Sequence, residues 1–161
     1  MGKKILVLGV GNILYTDEGV GVACVNALQE AYEFSDNITL LDGGTLGMRL
    51  MEYLLECDVA IVLDAVLCDD EPGTIYRLTG DDLRKSLAFK DSMHQSDLVD
   101  TLISCELIGK RPDCVVIGIE PVDFQTMHHG ITEQLQDRLP AMMDFALKEI
   151  QQAGGEWTAR K

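Results

Sequence analysis

Basic residues are scarce in this chain. Only 13 Lys and Arg stand against 27 Asp and Glu in 161 residues, a formal net charge of −14. Nucleic-acid binders and proteins of anionic membrane surfaces need a basic patch to meet phosphate, so neither a nucleic-acid partner nor membrane insertion is expected. The balance suits a locally basic partner or a metal cation, although solubility alone accounts for most of it. Long apolar runs are also missing: none reaches the roughly 20 residues a bilayer span requires. The opening "MGKKILVLGVGNIL" sets two lysines before an apolar run, but Gly9, Gly11 and Asn12 break that run and no small-residue cleavage site precedes Asp17 and Glu18, which argues against a signal peptide. Leu6 stands where a myristoylation pattern needs Ser or Thr. The five cysteines, Cys24, Cys57, Cys68, Cys105 and Cys114, are odd in number and never spaced C-x-x-C, which excludes a disulfide framework and a structural zinc site. Most lie among apolar neighbours, as small buried hydrophobes in a reducing cytoplasm do. No G-x-S-x-G elbow and no cysteine–histidine pairing occurs, so covalent catalysis is disfavoured.

What is present is a hydrophobic content of 47% with 25% charged residues, enough for one domain spanning 1–161 with a real core. Apolar runs alternate with helical patterns. "KILVLGV", "DVAIVLDAV" and "DCVVIGIEP" read as strands buried on both faces, and "NITLLDGG" as another strand ended by glycines. A shorter strand, "PGTIYRL", follows a Pro-Gly turn. Helical spacing appears over 18–33, over "LGMRLMEYLLE", over 95–108 with Leu98, Leu102, Ile103 and Leu107 inward, and over 131–152, where Pro140 is expected to kink the helix. About 154–161 reads as a frayed tail. The order predicts an α/β fold: a three-layer α/β/α sandwich with a mainly parallel, twisted sheet.

Ligands of such sheets bind at the carboxyl ends of the strands. The loops there carry Asn12, Asp17 and Glu18, then Asp42 in "DGGT", Asp64, His94 in "SMHQSD", and Glu120, with His128 and His129 nearby. Two chemistries compete. "GVGNIL" supplies the first two glycines of a dinucleotide turn, and Asp42 ends the second strand where a ribose-binding acid would sit. Leu14 replaces the third glycine, however, and Glu18 would oppose a pyrophosphate at the helix start. Gly9 and Gly11 are explained better by a tight strand-to-loop turn than by nucleotide binding. The alternative is a metal site: Glu18, Asp64 and His94 form a mixed oxygen and nitrogen set with an open position, suited to borderline ions such as nickel or zinc. Taken singly, each has a plainer explanation, as a helix-terminal charge, a strand-end cap and a helix cap.

At these residues the chain resembles the hydrogenase maturation endopeptidases of nickel-iron hydrogenases. The likeness runs from "ILVLGVGNILYTDEGVGV" through "LLDGGTLG", "VLDAV", "EPGTI" and "SMHQ" to "VVIGIEP". The ordered combination is highly specific, where a lone G-x-G would not be. The resemblance implies that Glu18, Asp64 and His94 form a catalytic metal site and that Asp42 takes part in substrate recognition near the cleavage point. It also implies removal of the C-terminal extension of a [NiFe] hydrogenase large-subunit precursor, once nickel has entered that subunit. The nickel would come with the substrate rather than reside in the protein; zinc or cadmium would be accepted in its place. The segment "MHHG" is not part of the likeness. A cytoplasmic monomer docking transiently on its substrate is expected. Whether the ion polarises the scissile carbonyl, activates water, or leaves a carboxylate to act as general base stays open at this level. A nickel-binding chaperone or a nucleotide-binding module without protease activity is the alternative.

Overall fold

The computed structural model describes residues 3–44, 50–87 and 98–160. Its centre is a five-stranded sheet of β1 (Ile5–Val10), β3 (Ile38–Gly44), β4 (Val59–Ala65), β6 (Asp113–Ile119) and β5 (Ile75–Leu78), in the spatial order β3-β1-β4-β6-β5. The first four run parallel, and β5 lies antiparallel along β6. Helices α1 (Val20–Ala31) and α4 (Glu133–Gln152) cover one face; α2 (Leu50–Leu55) and α3 (Leu98–Ile108) cover the other.

Alternation along each strand explains why the apolar runs are continuous. Ile5, Val7, Ile61, Leu63, Val115 and Ile117 pack toward α1 and α4. Leu6, Leu8, Ala60, Val62 and Val116 pack toward α2 and α3. A strand covered on both faces needs apolar residues at every position. The α/β/α sandwich expected from the element order is therefore the architecture observed.

Two local features differ from the expectation. The tail is not frayed: β7 (Trp157–Ala159) pairs antiparallel with β2 (Tyr32–Phe34), and Tyr32, Phe34 and Trp157 pack on the edge of the α1/α4 core. On α3 the inward positions are Leu98, Val99, Leu102 and Cys105, whereas Ile103 is 42% and Leu107 85% exposed. A helix of short apolar residues offers two overlapping stripes, and packing against α2 selects one of them. Pro140 lies within α4, as the pattern over 131–152 implied, on an exposed side of the helix. Among the described residues no helix is long and apolar enough to cross a membrane.

The chain leaves β1 to form β3 on one side, then returns past β1 to form β4 and β6 on the other. Direction reverses at β1, so the loops after β1 and β4 flank the position where doubly wound sheets bind ligands.

Candidate active site

Gly11 directly follows β1 at that position. Its φ is +127°, a conformation disfavoured for residues with a side chain. A methyl group on it would sit 1.9 Å from the carbonyl oxygen of Glu18 and 3.6 Å from Oδ1 of Asp64. The glycine thus admits the Glu18 backbone on one side and the Asp64 carboxylate on the other. The Gly11→Ala protein is expected to lose about 2–4 kcal/mol, from backbone strain plus the clash. A urea denaturation series measures this, and an unshifted midpoint would show that the loop simply rearranges.

Glu18 sits in a single 3-10 turn, Thr16–Gly19, between β1 and α1. The turn is laced to the loop following β6. Thr16 N–H donates to the His128 carbonyl at 3.0 Å, His128 N–H donates to the Leu14 carbonyl at 2.9 Å, and Asp17 N–H donates to the Asp123 carbonyl at 2.9 Å. The Thr16 hydroxyl donates to the Thr126 carbonyl at 2.6 Å. These bonds hold Thr16, a β-branched residue, at φ 53°, a costly left-handed conformation of the kind met where a loop is over-determined.

Asp17, beside Glu18, is completely buried. Its Oδ2 accepts from Val122 N–H (2.9 Å), Asp123 N–H (3.1 Å) and the Thr132 hydroxyl (3.0 Å), while Oδ1 accepts from Thr132 N–H (2.7 Å). Thr132 precedes α4, so the carboxylate also meets the positive end of that helix. Asp17 is a structural knot, not a cap on α1.

Asp64 is the penultimate residue of β4 and fully buried. Oδ1 accepts from Ala65 N–H at 2.8 Å, and Oδ2 accepts from the Ser86 hydroxyl. Ser86 is buried too, docked by an antiparallel bridge to Val66. Asp42 is exposed and faces the other way. Its register row holds Gly9, Leu63 and Ile117, which point to the α1/α4 layer, and Asn26 of α1 lies 3.5 Å from its Oδ2. Asp64 projects toward the α2/α3 layer, so the two acids leave one end of the sheet on opposite faces.

The structure therefore packs the Glu18 backbone and the Asp64 carboxylate against Gly11, while Asp42 stands apart. His94 lies outside the described residues. Glu120, another acid of these loops, is buried and turned away: its carboxylate accepts from Cys68 N–H at 2.9 Å and shapes the 68–73 loop. His128 and His129 are exposed. Among the described residues, no three His, Cys, Asp or Glu side chains are grouped for metal ligation.

Two further properties constrain the chemistry. Burial raises every cysteine, Cys24 and Cys114 to about 12, Cys57 to about 11, and Cys68 and Cys105 in the same direction. All five are thiols at neutral pH, and a thiol is a poor nucleophile. The laced loops also expose Ile13, Leu14, Val122 and Met127, an apolar rim beside Glu18. Gly19 and Val20, at the start of α1, are buried, which removes the exposed helix N-terminus a pyrophosphate would need.

Acidic residues on the loops at the switch point of a parallel sheet, with every cysteine a thiol, set the chemistry at this end of the molecule. The relatives are more specific. The family model for hydrogenase maturation proteases matches residues 22–149. The chain is 39% identical over 159 residues to the hydrogenase expression/formation protein HupD of Rhizobium leguminosarum bv. viciae, covering 98% of this chain and 79% of that protein. With the hydrogenase 2 maturation protease of Escherichia coli K12 it shares 34% over 160 residues, 98% of this chain and 97% of the other. The solved structure of the hydrogenase maturating endopeptidase HybD from E. coli superposes with a TM-score of 0.87 at 34% identity, with 98% of each chain covered. The chain belongs to the hydrogenase maturation protease family.

Proposed function

We propose that this protein is an endopeptidase that removes the C-terminal extension of a [NiFe] hydrogenase large-subunit precursor after nickel insertion. The packing of the Glu18 turn and the Asp64 carboxylate against Gly11, at the end of the sheet where such folds bind ligands, supports the reading. The nickel is cargo of the substrate. Held by substrate thiolates, it completes its coordination through Glu18, Asp64 and His94, so that loaded precursor is bound in preference to empty precursor. The mixed carboxylate and imidazole set suits nickel and accepts zinc or cadmium. The apolar rim of Leu14 and Met127 offers a protein substrate purchase beside the acids. Asp42, exposed on the opposite face of the same sheet end, is assigned to the chain flanking the scissile bond by its place in the D-G-G-T motif.

Hydrolysis needs an activated water and a polarised carbonyl. The captured ion supplies Lewis acidity. Glu18, half-exposed, is the group with room to accept a proton from water, while Asp64, pinned by Ala65 and Ser86, is built to stay put.

The test is incubation of the purified protein with nickel-loaded and nickel-free precursor, followed by mass measurement of both products. Cleavage of the loaded form alone is expected. Equal cleavage of both ends the nickel-recognition idea, and nickel capture without any cleavage would instead make the protein a chaperone.

A further inference from the structure

Ser86 carries none of the sequence signals, yet deep in the protein its hydroxyl donates to the Asp64 carboxylate. Its placement is specific. The chain leaves the 3-10 helix Gly80–Lys85 and lies antiparallel to the residues just after β4: Val66 bridges to Ser86, and Leu67 N–H donates to the Lys85 carbonyl at 3.2 Å. Ser86 N–H turns back to the Leu83 carbonyl at 3.2 Å, and Leu83 is itself buried in the α2/α3 core. The backbone is thereby fixed on both sides of the hydroxyl, which reaches Asp64 from 22 residues away in sequence.

We propose that Ser86 is a positioning residue for the metal-directed carboxylate. This rests on the reading of Asp64 as a nickel ligand. Ala65 N–H occupies Oδ1 and the Ser86 hydroxyl occupies Oδ2, so both torsions of Asp64 are set before any ion arrives. Each of these donors takes one lone pair of its oxygen and fixes the direction in which the remaining lone pairs can meet an ion. A hydroxyl donor also draws charge from the carboxylate and tempers it as a ligand. That suits a site which must capture an ion attached to its substrate and let the processed subunit depart with it.

The experiment compares wild type with Ser86→Ala, Ser86→Thr and Val66→Ala on nickel-loaded precursor, with thermal unfolding recorded for each and Asp64→Ala as reference. Removal of an outer-shell partner typically costs about 10–100-fold in metal affinity or activity. Ser86→Ala is expected to lose that much in kcat/KM while still unfolding cooperatively. Ser86→Thr, which restores the hydroxyl, is expected to recover most of the loss. Val66→Ala loosens the same bridge without touching the hydroxyl and is expected to stay within about threefold of wild type, the span left once that outer-shell loss is absent. Titration with Ni²⁺ alone should show the same ranking of affinities. The proposal is overturned if Ser86→Ala cleaves like wild type while Asp64→Ala is dead, or if Val66→Ala and Ser86→Thr lose as much as Ser86→Ala. An active Asp64→Ala protein would overturn the ligand assignment instead.

Discussion

The Glu18→Gln protein is expected to melt within a degree or two of wild type and to leave nickel-loaded precursor uncut. The two halves of that result have different causes. The turn carrying Glu18 is shaped by backbone bonds, including Glu18 N–H to the Tyr15 carbonyl at 3.1 Å, and by the neighbouring Asp17 carboxylate. An isosteric amide at a half-exposed position leaves all of these intact and costs about 0.5 kcal/mol. Processing, by contrast, loses an anionic ligand and a proton acceptor together. Roughly 10³-fold or more is expected, the scale on which removal of a group acting in the transition state is felt. Asp64→Asn should match it in activity but not in stability. With the amide oxygen kept on Ala65 N–H, the new amide nitrogen faces the Ser86 hydroxyl, which must turn from donor to acceptor and leave its own proton without Asp64 in a fully buried place. About 1–3 kcal/mol follows from one unsatisfied buried group. Electrophoretic mobility of the precursor together with calorimetry measures both quantities. Normal trimming by Glu18→Gln would remove Glu18 from the site.

For Asp17→Ala the stability loss should dominate. Three backbone N–H groups, of Val122, Asp123 and Thr132, and the Thr132 hydroxyl lose their acceptor at once. The donors are partly buried, so water replaces the carboxylate incompletely, and about 3–5 kcal/mol is expected. At about 2–4 °C per kcal/mol for a chain of this size, the melting temperature falls by about 10 °C. Circular dichroism at 222 nm during a thermal ramp reads it directly. A fall of less than 2 °C would mean that the loops hold together without the knot. Asp17→Asn should lie between, since its amide oxygen still accepts on one side.

Much of the architecture was legible because burial on both sheet faces writes itself as unbroken apolar runs, and "KILVLGV" or "DCVVIGIEP" can hardly be anything else. The family was legible from the ordered motifs. Periodicity failed where it was degenerate: Ile103 and Leu107 fit a helical stripe as well as Val99 and Cys105 do, and only the neighbour α2 decides. It also failed for β2 and β7, three residues each, too short to show a period. At the site, the sequence presents Asp17 and Glu18 as a matched pair, yet one is buried and the other is not. The difference lies in donors more than 100 residues away. Ser86 was invisible for a related reason: its role depends on how residues 85 and 86 align against 66 and 67, and register of that kind leaves no mark in a single chain.

The Asp17 knot also orders events in time. Its partners lie 105, 106 and 115 residues further along the chain. Closing loops of that length comes late in folding, after the local helices and the adjacent parallel strands have paid their own entropy. During synthesis, the turn bearing Glu18 emerges early but waits unclasped until Thr132 has left the ribosome. An unfinished chain therefore holds a nearly complete sheet with a slack cutting end, and the maturation enzyme must itself be mature before it can cut.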